Sequence, residues 1–388
     1  MLARRLSLVL ALLSSAVQAQ STQTRPALDF SGIIFGSFQY RTDSVARNAL
    51  GGESPNRFDM GRAYLGFRLP TGEKGSMRIT TDLYQNTADG YYAGWAIRLK
   101  HAYFQYDVTQ ALFGVAGLTM NARIGMIPSF LLDHVYAYWP RWVGQDALET
   151  HGFLPTADVG IGSSVMLPHR RGEFHLTLVN GNGYTAAETD RFKDVAARFT
   201  WTPFATDSGF LRTFAITPWY SKGRGAGAFA SGGVGQVGPG INGAWTDGVE
   251  RDRRGLFAAI RERRFTSGLL FAQRIEELEG GANTTASPRT VRTRTSDVVS
   301  AFAVVRPAEL STPTRRSRLS LFARYDDFTL DDVPATGSAT RLLWGGLAWD
   351  VNASASVSLD YQRMHFETGP AGLTTPANTL FMHWVVSF

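Results

Sequence analysis

Large apolar side chains occupy alternate positions in the last ten residues, where Leu380, Met382, Trp384, Val386 and Phe388 share one parity. The other parity is mixed, with Phe381, His383, Val385 and Ser387. A two-residue period is that of a β-strand with one apolar face. The same period recurs upstream. In 57–69, Ala63, Leu65, Phe67 and Leu69 alternate with Arg62, Tyr64 and Arg68, and in 76–84, Met77, Ile79, Thr81 and Leu83 alternate with Arg78, Thr80 and Asp82. Sixteen strands can be laid out: near 29–41, 57–69, 76–84, 95–107, 115–127, 158–167, 173–180, 192–202, 210–222, 254–262, 265–276, 295–306, 317–328, 340–351, 353–366 and 379–388. Short connections at 70–75, 168–172, 203–209, 263–264 and 351–353 alternate with long ones at 42–56, 128–157, 181–191, 223–253, 277–294 and 329–339. The connection near 307–316 is long for a turn. The pattern predicts an all-β protein, a transmembrane antiparallel β-barrel of about sixteen strands. Short periplasmic turns would close one end and long outer loops the other, with both termini on the periplasmic side.

Charge on the second parity is compatible with that architecture. Positions facing lipid must be apolar, whereas positions facing a wet lumen can be charged. Arg62, Arg68, Arg78, Arg123, Arg198 and Arg324 all fall mid-strand and are expected to face inward. Six guanidiniums in one lumen would concentrate anions and repel cations. If each instead pairs with a lumen carboxylate such as Asp82, Asp194 or Asp360, little net field remains. Tyr40, Tyr106, Trp201, Trp219 and Trp349 lie near strand ends and suit aromatic girdles at the two membrane interfaces.

Composition narrows the class. The chain is 44% hydrophobic and 12% aromatic, with 40 glycines and no cysteine. Disulfides and thiolate metal sites are therefore excluded, and no cofactor is expected. An array of soluble β-sandwiches would need linkers between domains, and none is visible. At the N-terminus, Arg4 and Arg5 precede the apolar run 6–17 and then Val17-Gln-Ala19. Residues 1–19 read as a secretory signal peptide cleaved after Ala19, with 20–388 as the barrel. The apolar run is too short for a membrane helix. Losing Arg4 and Arg5 lowers the formal net charge from +6 to +4.

Several stretches resemble the phosphate-selective porin O and P family. Phe58-Asp-Met-Gly-Arg-Ala-Tyr-Leu-Gly-Phe67 is similar to its second strand, and Leu99-Lys-His-Ala-Tyr-Phe-Gln-Tyr106 to its fourth. Gly125-Met-Ile-Pro-Ser-Phe130 resembles the strand end before its constriction loop. Val179-Asn-Gly-Asn-Gly183, Asp194-Val-Ala-Ala-Arg198 and Thr202-Pro203 resemble its central hairpin, and Phe322-Ala-Arg-Tyr-Asp326 a late strand. The motifs are short, but their order runs over nearly the whole mature chain. The resemblance implies a sixteen-stranded outer-membrane channel, a homotrimer, and an anion path of arginines and lysines. Only Lys74, Lys100, Lys193 and Lys222 are available as lysines, and none aligns with the family's set. The C-terminal strand ending on Phe388 is similar to the signal read by the barrel assembly machinery.

The long connection 128–157 is the expected constriction loop. It holds Asp133, His134 and Arg141, the last between Trp139-Pro140 and Trp142. Charges held in a narrowed lumen select ions by sign. The plainer alternative is an outer loop packed on its neighbours, with Arg141 stacked on an indole. Gly233-Val-Gly-Gln-Val-Gly238 has dinucleotide-fingerprint spacing, but Pro239-Gly240 follows where a helix must begin. Arg251-Asp-Arg-Arg254 and Arg261-Glu-Arg-Arg264 suit barrel rims touching acidic lipid headgroups rather than nucleic acid. There is no Gly-x-Ser-x-Gly elbow and no His-x-x-x-His pair. The expected function is passive diffusion of small hydrophilic solutes with an anion bias, and the family resemblance implies phosphate as one such anion. An outer-membrane enzyme of the lipid-hydrolase type, or a barrel used as surface receptor or anchor, are the alternatives.

Overall fold

Every alternating segment forms a strand, and each strand pairs antiparallel with its chain neighbours. The computed structural model describes residues 27–86, 94–109, 117–186, 188, 190–225, 248–280, 290–312, 316–331, 339–367 and 376–388. The expected leader 1–19 and the Gly233–Gly238 run lie outside them. The strands are β1 (Asp29–Arg41), β2 (Asn56–Thr71), β3 (Gly75–Asn86), β4 (Gly94–Asp107), β5 (Thr119–Pro128), β6 (Ala157–Met166), β7 (Gly172–Val179) and β8 (Asp194–Trp201). They continue with β9 (Ala215–Gly225), β10 (Val249–Arg261), β11 (Phe265–Gly280), β12 (Thr290–Val305), β13 (Leu319–Asp331), β14 (Ala339–Asp350), β15 (Ala355–Phe366) and β16 (Ala377–Ser387). β1 also pairs with β16, Ile34 opposite Val386 and Phe38 opposite Met382, which closes the sixteen strands into a barrel.

The apolar parity faces outward. Ile97 is 70% exposed, and Leu343 and Leu359 are each 57% exposed. Such surface is stable against lipid chains and not against water. Leu380, Met382, Val386 and Phe388 are exposed on the same face, while His383 and Val385 of the other parity are buried. Tyr40, Tyr106, Trp201 and Trp349 also point outward. Trp219 does not: it is buried inside the barrel, against the girdle expectation, because it packs under the inserted loop described below.

Three sequence expectations shift. The segment 210–222 is not one strand. Phe210–Thr213 is a tight turn, closed by Phe214 N donating to Leu211 O, and β9 starts at Ala215. β10 starts earlier than 254, at Val249, because its first turns alternate charge rather than oil. Residues Pro307–Ser311 coil into a short helix, which explains the long connection there.

The connection from β5 to β6, residues 129–156, enters the barrel. Its Phe130, Leu132, Val135, Trp139, Leu148 and Phe153 are buried together with inward side chains of β8 to β14. Trp139 is the centre of this contact. It is 1% exposed, its ring lies 5.4 Å from Phe302 and 5.3 Å from Trp344, and its indole N–H donates to Gly144 O at 3.0 Å. Polar anchors flank it. Arg324 donates to Gln145 O and to the Asp326 carboxylate, and Arg274 donates to Gly152 O at 3.1 Å. His151 stacks on Phe328 at 4.3 Å, and His134 Nε2 meets Thr217 Oγ1 at 3.1 Å.

Two predictions concern this docking. Trp139→Ala should loosen the loop by about 3–5 kcal/mol, the usual cost of emptying a large aromatic site. Hydrogen exchange at loop amides should accelerate while the strands stay protected. Docking should also weaken in acid. Burial lowers the His134 imidazole to about 3 and that of His151 to about 4. Below pH 6.5 only the undocked imidazoles gain protons, so docking loses free energy as pH falls. Asp146 and Asp133 oppose this, since desolvation raises both carboxyls, that of Asp146 to about 6, and the docked form protonates first. The two imidazoles carry the larger shifts, so at about 1.4 kcal/mol per pH unit per group loop protection factors should still fall about tenfold from pH 7 to 4.5. Unchanged protection would refute it.

Candidate functional site

Because the loop packs on β8 to β14, the open lumen lies on the other side, against β1 to β4 and, at one end, β14 to β16. A cavity of 490 Å³ there is lined by Arg68, Arg78, Lys100, Asp133 and Arg141, among others. A second cavity of 370 Å³ is lined by Phe35, Arg62 and Gln362 and shares Arg141 with the first. Arg141 thus sits where the two spaces meet.

Strand register explains the cationic wall. Arg68 of β2 and Arg78 of β3 are direct cross-strand partners. Like charges so placed repel, yet no carboxylate lies within 4.0 Å of either among the described residues. Arg78 Nε donates to Thr80 Oγ1 at 3.2 Å. Arg123 of β5 is held by Gln105, with Nε donating to Oε1 at 2.8 Å, again with no carboxylate within 4.0 Å among the described residues. Lys100 was missed as a lumen group. Thr80 pairs with His101 and Thr81 with Leu99, so Lys100 is the extra residue of a bulge. Bulges re-aim side chains. Here the outward parity changes from Trp95, Ile97 and Leu99 to Phe104 and Tyr106. That break in alternation was visible in the sequence and marks the position.

The other predicted groups divide into two sets. Arg62 donates to Asp82 at 3.4 Å, and so does Arg98 at 2.9 Å; the carboxylate is fully buried between them. Tyr184 OH also donates to Asp82, at 3.1 Å. It arrives there because Gly181 and Gly183 N–H groups both donate to Asp158, at 2.8 and 3.1 Å. Both glycines have positive φ, 95° and 72°, which side chains resist. Arg198 and Arg324 are corrections. Both face inward but lie beneath the loop, 6% and 2% exposed, with Arg198 bound to Phe130 O and Glu173. They hold the loop and do not line the open lumen. His134 is likewise turned into the wall, edge-on to Tyr138 and Phe257. Asp133 faces the cavity and is exposed. Arg141 pairs with Glu149 at 2.9 Å, and Glu149 also accepts from Tyr136 OH.

Arg251 and Arg253 do not reach a lipid rim. They face inward and share Asp194, at 3.1 and 3.5 Å, while Arg254 points outward to Gln273. Among the described residues Asp360 pairs with no arginine; it accepts from Trp344 Nε1 at 2.8 Å and lies 3.2 Å from His383 Nε2. Ser37 is the strand partner of His383. Its hydroxyl accepts from Gln39 at 3.3 Å, and no hydrogen bond joins it to the imidazole among the described residues.

No protein-family model matches the chain, and no curated protein matches its sequence. Solved structures do match in fold. OmpF of Salmonella typhi aligns with TM-score 0.60 and 12% identity, covering 94% of this chain and 98% of its own. Outer-membrane OmpT of Vibrio cholerae aligns at 0.59 and 10%, covering 95% and 99%. The anion-selective porin from Comamonas acidovorans aligns at 0.58 and 9%, covering 93% and 99%. At these identities the likeness is one of fold: this chain has the architecture of Gram-negative outer-membrane porins.

Proposed function

We propose that the protein is an outer-membrane porin, a passive diffusion channel for small hydrophilic solutes that favours anions. One observation carries the sign. Arg68, Arg78 and Lys100 line the open cavity on β2 to β4 without carboxylate partners within 4.0 Å among the described residues, and Arg123 follows on β5. Fixed cations in a narrowed, low-dielectric passage raise local anion concentration. The inserted loop supplies the narrowing, and Arg141 stands where the two cavities meet. Asp133 partly offsets the field and keeps the path from binding anions too tightly to release. No bond is broken and no cofactor takes part. Phosphate would be one solute, as the resemblance to the phosphate-selective porins suggests, but nothing in the wall is specific to it. The end carrying both termini would face the periplasm after removal of residues 1–19. Phe388 would be read by the assembly machinery, and the outward oil would contact lipid. A homotrimer is the assembly we favour, since an in-vitro folded OmpT of Vibrio cholerae is described in a trimer form.

The test is the reversal potential of the purified protein in a planar bilayer across a potassium chloride gradient. Chloride should be preferred. Replacing Arg78 and Arg123 together by glutamine should reduce the chloride-to-potassium ratio about two- to fivefold. Arg254→Gln, on the outward face, should leave it unchanged. Equal permeability in the unmodified protein would overturn the anion reading, and lipid hydrolysis would favour an enzyme instead.

A further inference from the structure

We propose that the anions this lumen favours are aromatic carboxylates. The inference rests on the anion-channel reading and names the solute class within it. Its basis is that the cations along the path are laid against aromatic rings. Arg98 lies 4.0 Å from the Tyr84 ring centroid and 4.8 Å from that of Tyr184. Lys100 lies 4.2 Å from Tyr64, Arg123 5.7 Å from Tyr103, and Arg141 5.3 Å from Tyr136. Of these groups, Lys100, Arg141, Tyr64 and Tyr136 line the 490 Å³ cavity itself, so positive charge and π surface meet within it.

A small hydrated oxyanion such as phosphate is best gripped by bare, forked donors. It would use the charges and leave the rings idle. A planar carboxylate uses both. In the 490 Å³ cavity its carboxylate can meet Arg68, Arg78 or Lys100 while its ring lies against Tyr64 or Tyr136. That volume suits a solute with one ring. A second observation points the same way. His101 lines this cavity, is only 4% exposed, and has no hydrogen-bond partner on either ring nitrogen. A buried imidazole left unpaired is costly. A neutral one offers a donor and an acceptor, which a hydroxyl on the solute ring would satisfy. Thr80, Arg78 and Lys100 surround it in the cavity wall, so the hydroxyl and the carboxylate would be held at adjacent points.

The experiment uses the full barrel in planar bilayers and reads interruption of the chloride current by added solute. The probes are benzoate, 4-hydroxybenzoate, cyclohexanecarboxylate and inorganic phosphate. Benzoate and cyclohexanecarboxylate share charge and approximate size but differ in planarity, and 4-hydroxybenzoate adds the hydroxyl. Benzoate should bind about two- to tenfold more tightly than cyclohexanecarboxylate, the range expected for ring stacking, and 4-hydroxybenzoate more tightly than benzoate and phosphate. Tyr64→Leu combined with Tyr136→Leu should abolish the difference between benzoate and cyclohexanecarboxylate. His101→Phe should bring 4-hydroxybenzoate down to the level of benzoate. Equal interruption by benzoate and cyclohexanecarboxylate in the unmodified protein, with chloride still preferred over potassium, would overturn the aromatic proposal and leave the anion channel standing. Loss of the chloride preference itself would remove both.

Discussion

Hydrocarbon offers backbone amides no partners, so a sheet that enters it must leave no edge. The pairing of β1 with β16 meets that demand, and much of the rest follows from it. A closed sheet has two faces and a two-residue period, so each strand must be oily on one parity and is free on the other. The freedom is used unevenly. Around β8 to β14 the inward parity is oily as well, with Phe257, Leu270, Val298, Phe302 and Trp344 buried. Around β2 to β5 it is charged. An oily inner wall cannot be left wet, and the loop 129–156 is what covers it. The cover then crowds the remaining lumen against the charged wall. The narrowing and the charge of the wall left open are thus two consequences of one asymmetry.

The barrel was legible because lipid imposes a strict rule on half of the strand positions. All sixteen segments emerged from that rule, and their ends drifted where it lapses. β10 begins with Glu250, Arg251, Asp252 and Arg253, where charge occupies both parities and periodicity of oil says nothing. The inserted loop left a trace that periodicity overlooks. Adjacent apolar pairs such as Leu269-Leu270, Val298-Val299 and Leu342-Leu343 are oily on both faces, which a strand between lipid and water has no reason to be. Read that way, the inner docking surface is visible in the sequence.

The arginines were harder, because parity places a side chain inside the barrel without saying what it meets there. Arg324 and Arg78 obey the same rule. One is sealed beneath the loop with Asp326, and the other opens on the cavity beside Thr80. What separates them is which sector of the wall the loop covers, a long-range fact. Lys100 depended on a local one: a single bulge residue that reverses the parity of everything after it.

This division gives the two groups of arginines different physics. A guanidinium buried with a carboxylate and a backbone carbonyl, as Arg324 is, contributes geometry; its charge is cancelled at close range and its removal would strand Asp326 without a partner. An unpaired guanidinium facing water keeps its long-range field and is held in place weakly, by a hydroxyl or an amide. The cross-strand repulsion between Arg68 and Arg78, offset in part by Asp29 across from Arg68, is then a cost that the folded barrel carries when empty and that an anion would relieve on the proposed reading. Because the relief would exist only while the anion is present, it would lower the energy of the occupied path relative to the empty one. The opposing Asp133 would limit how deep that well becomes, which is what a channel, as opposed to a binding protein, requires.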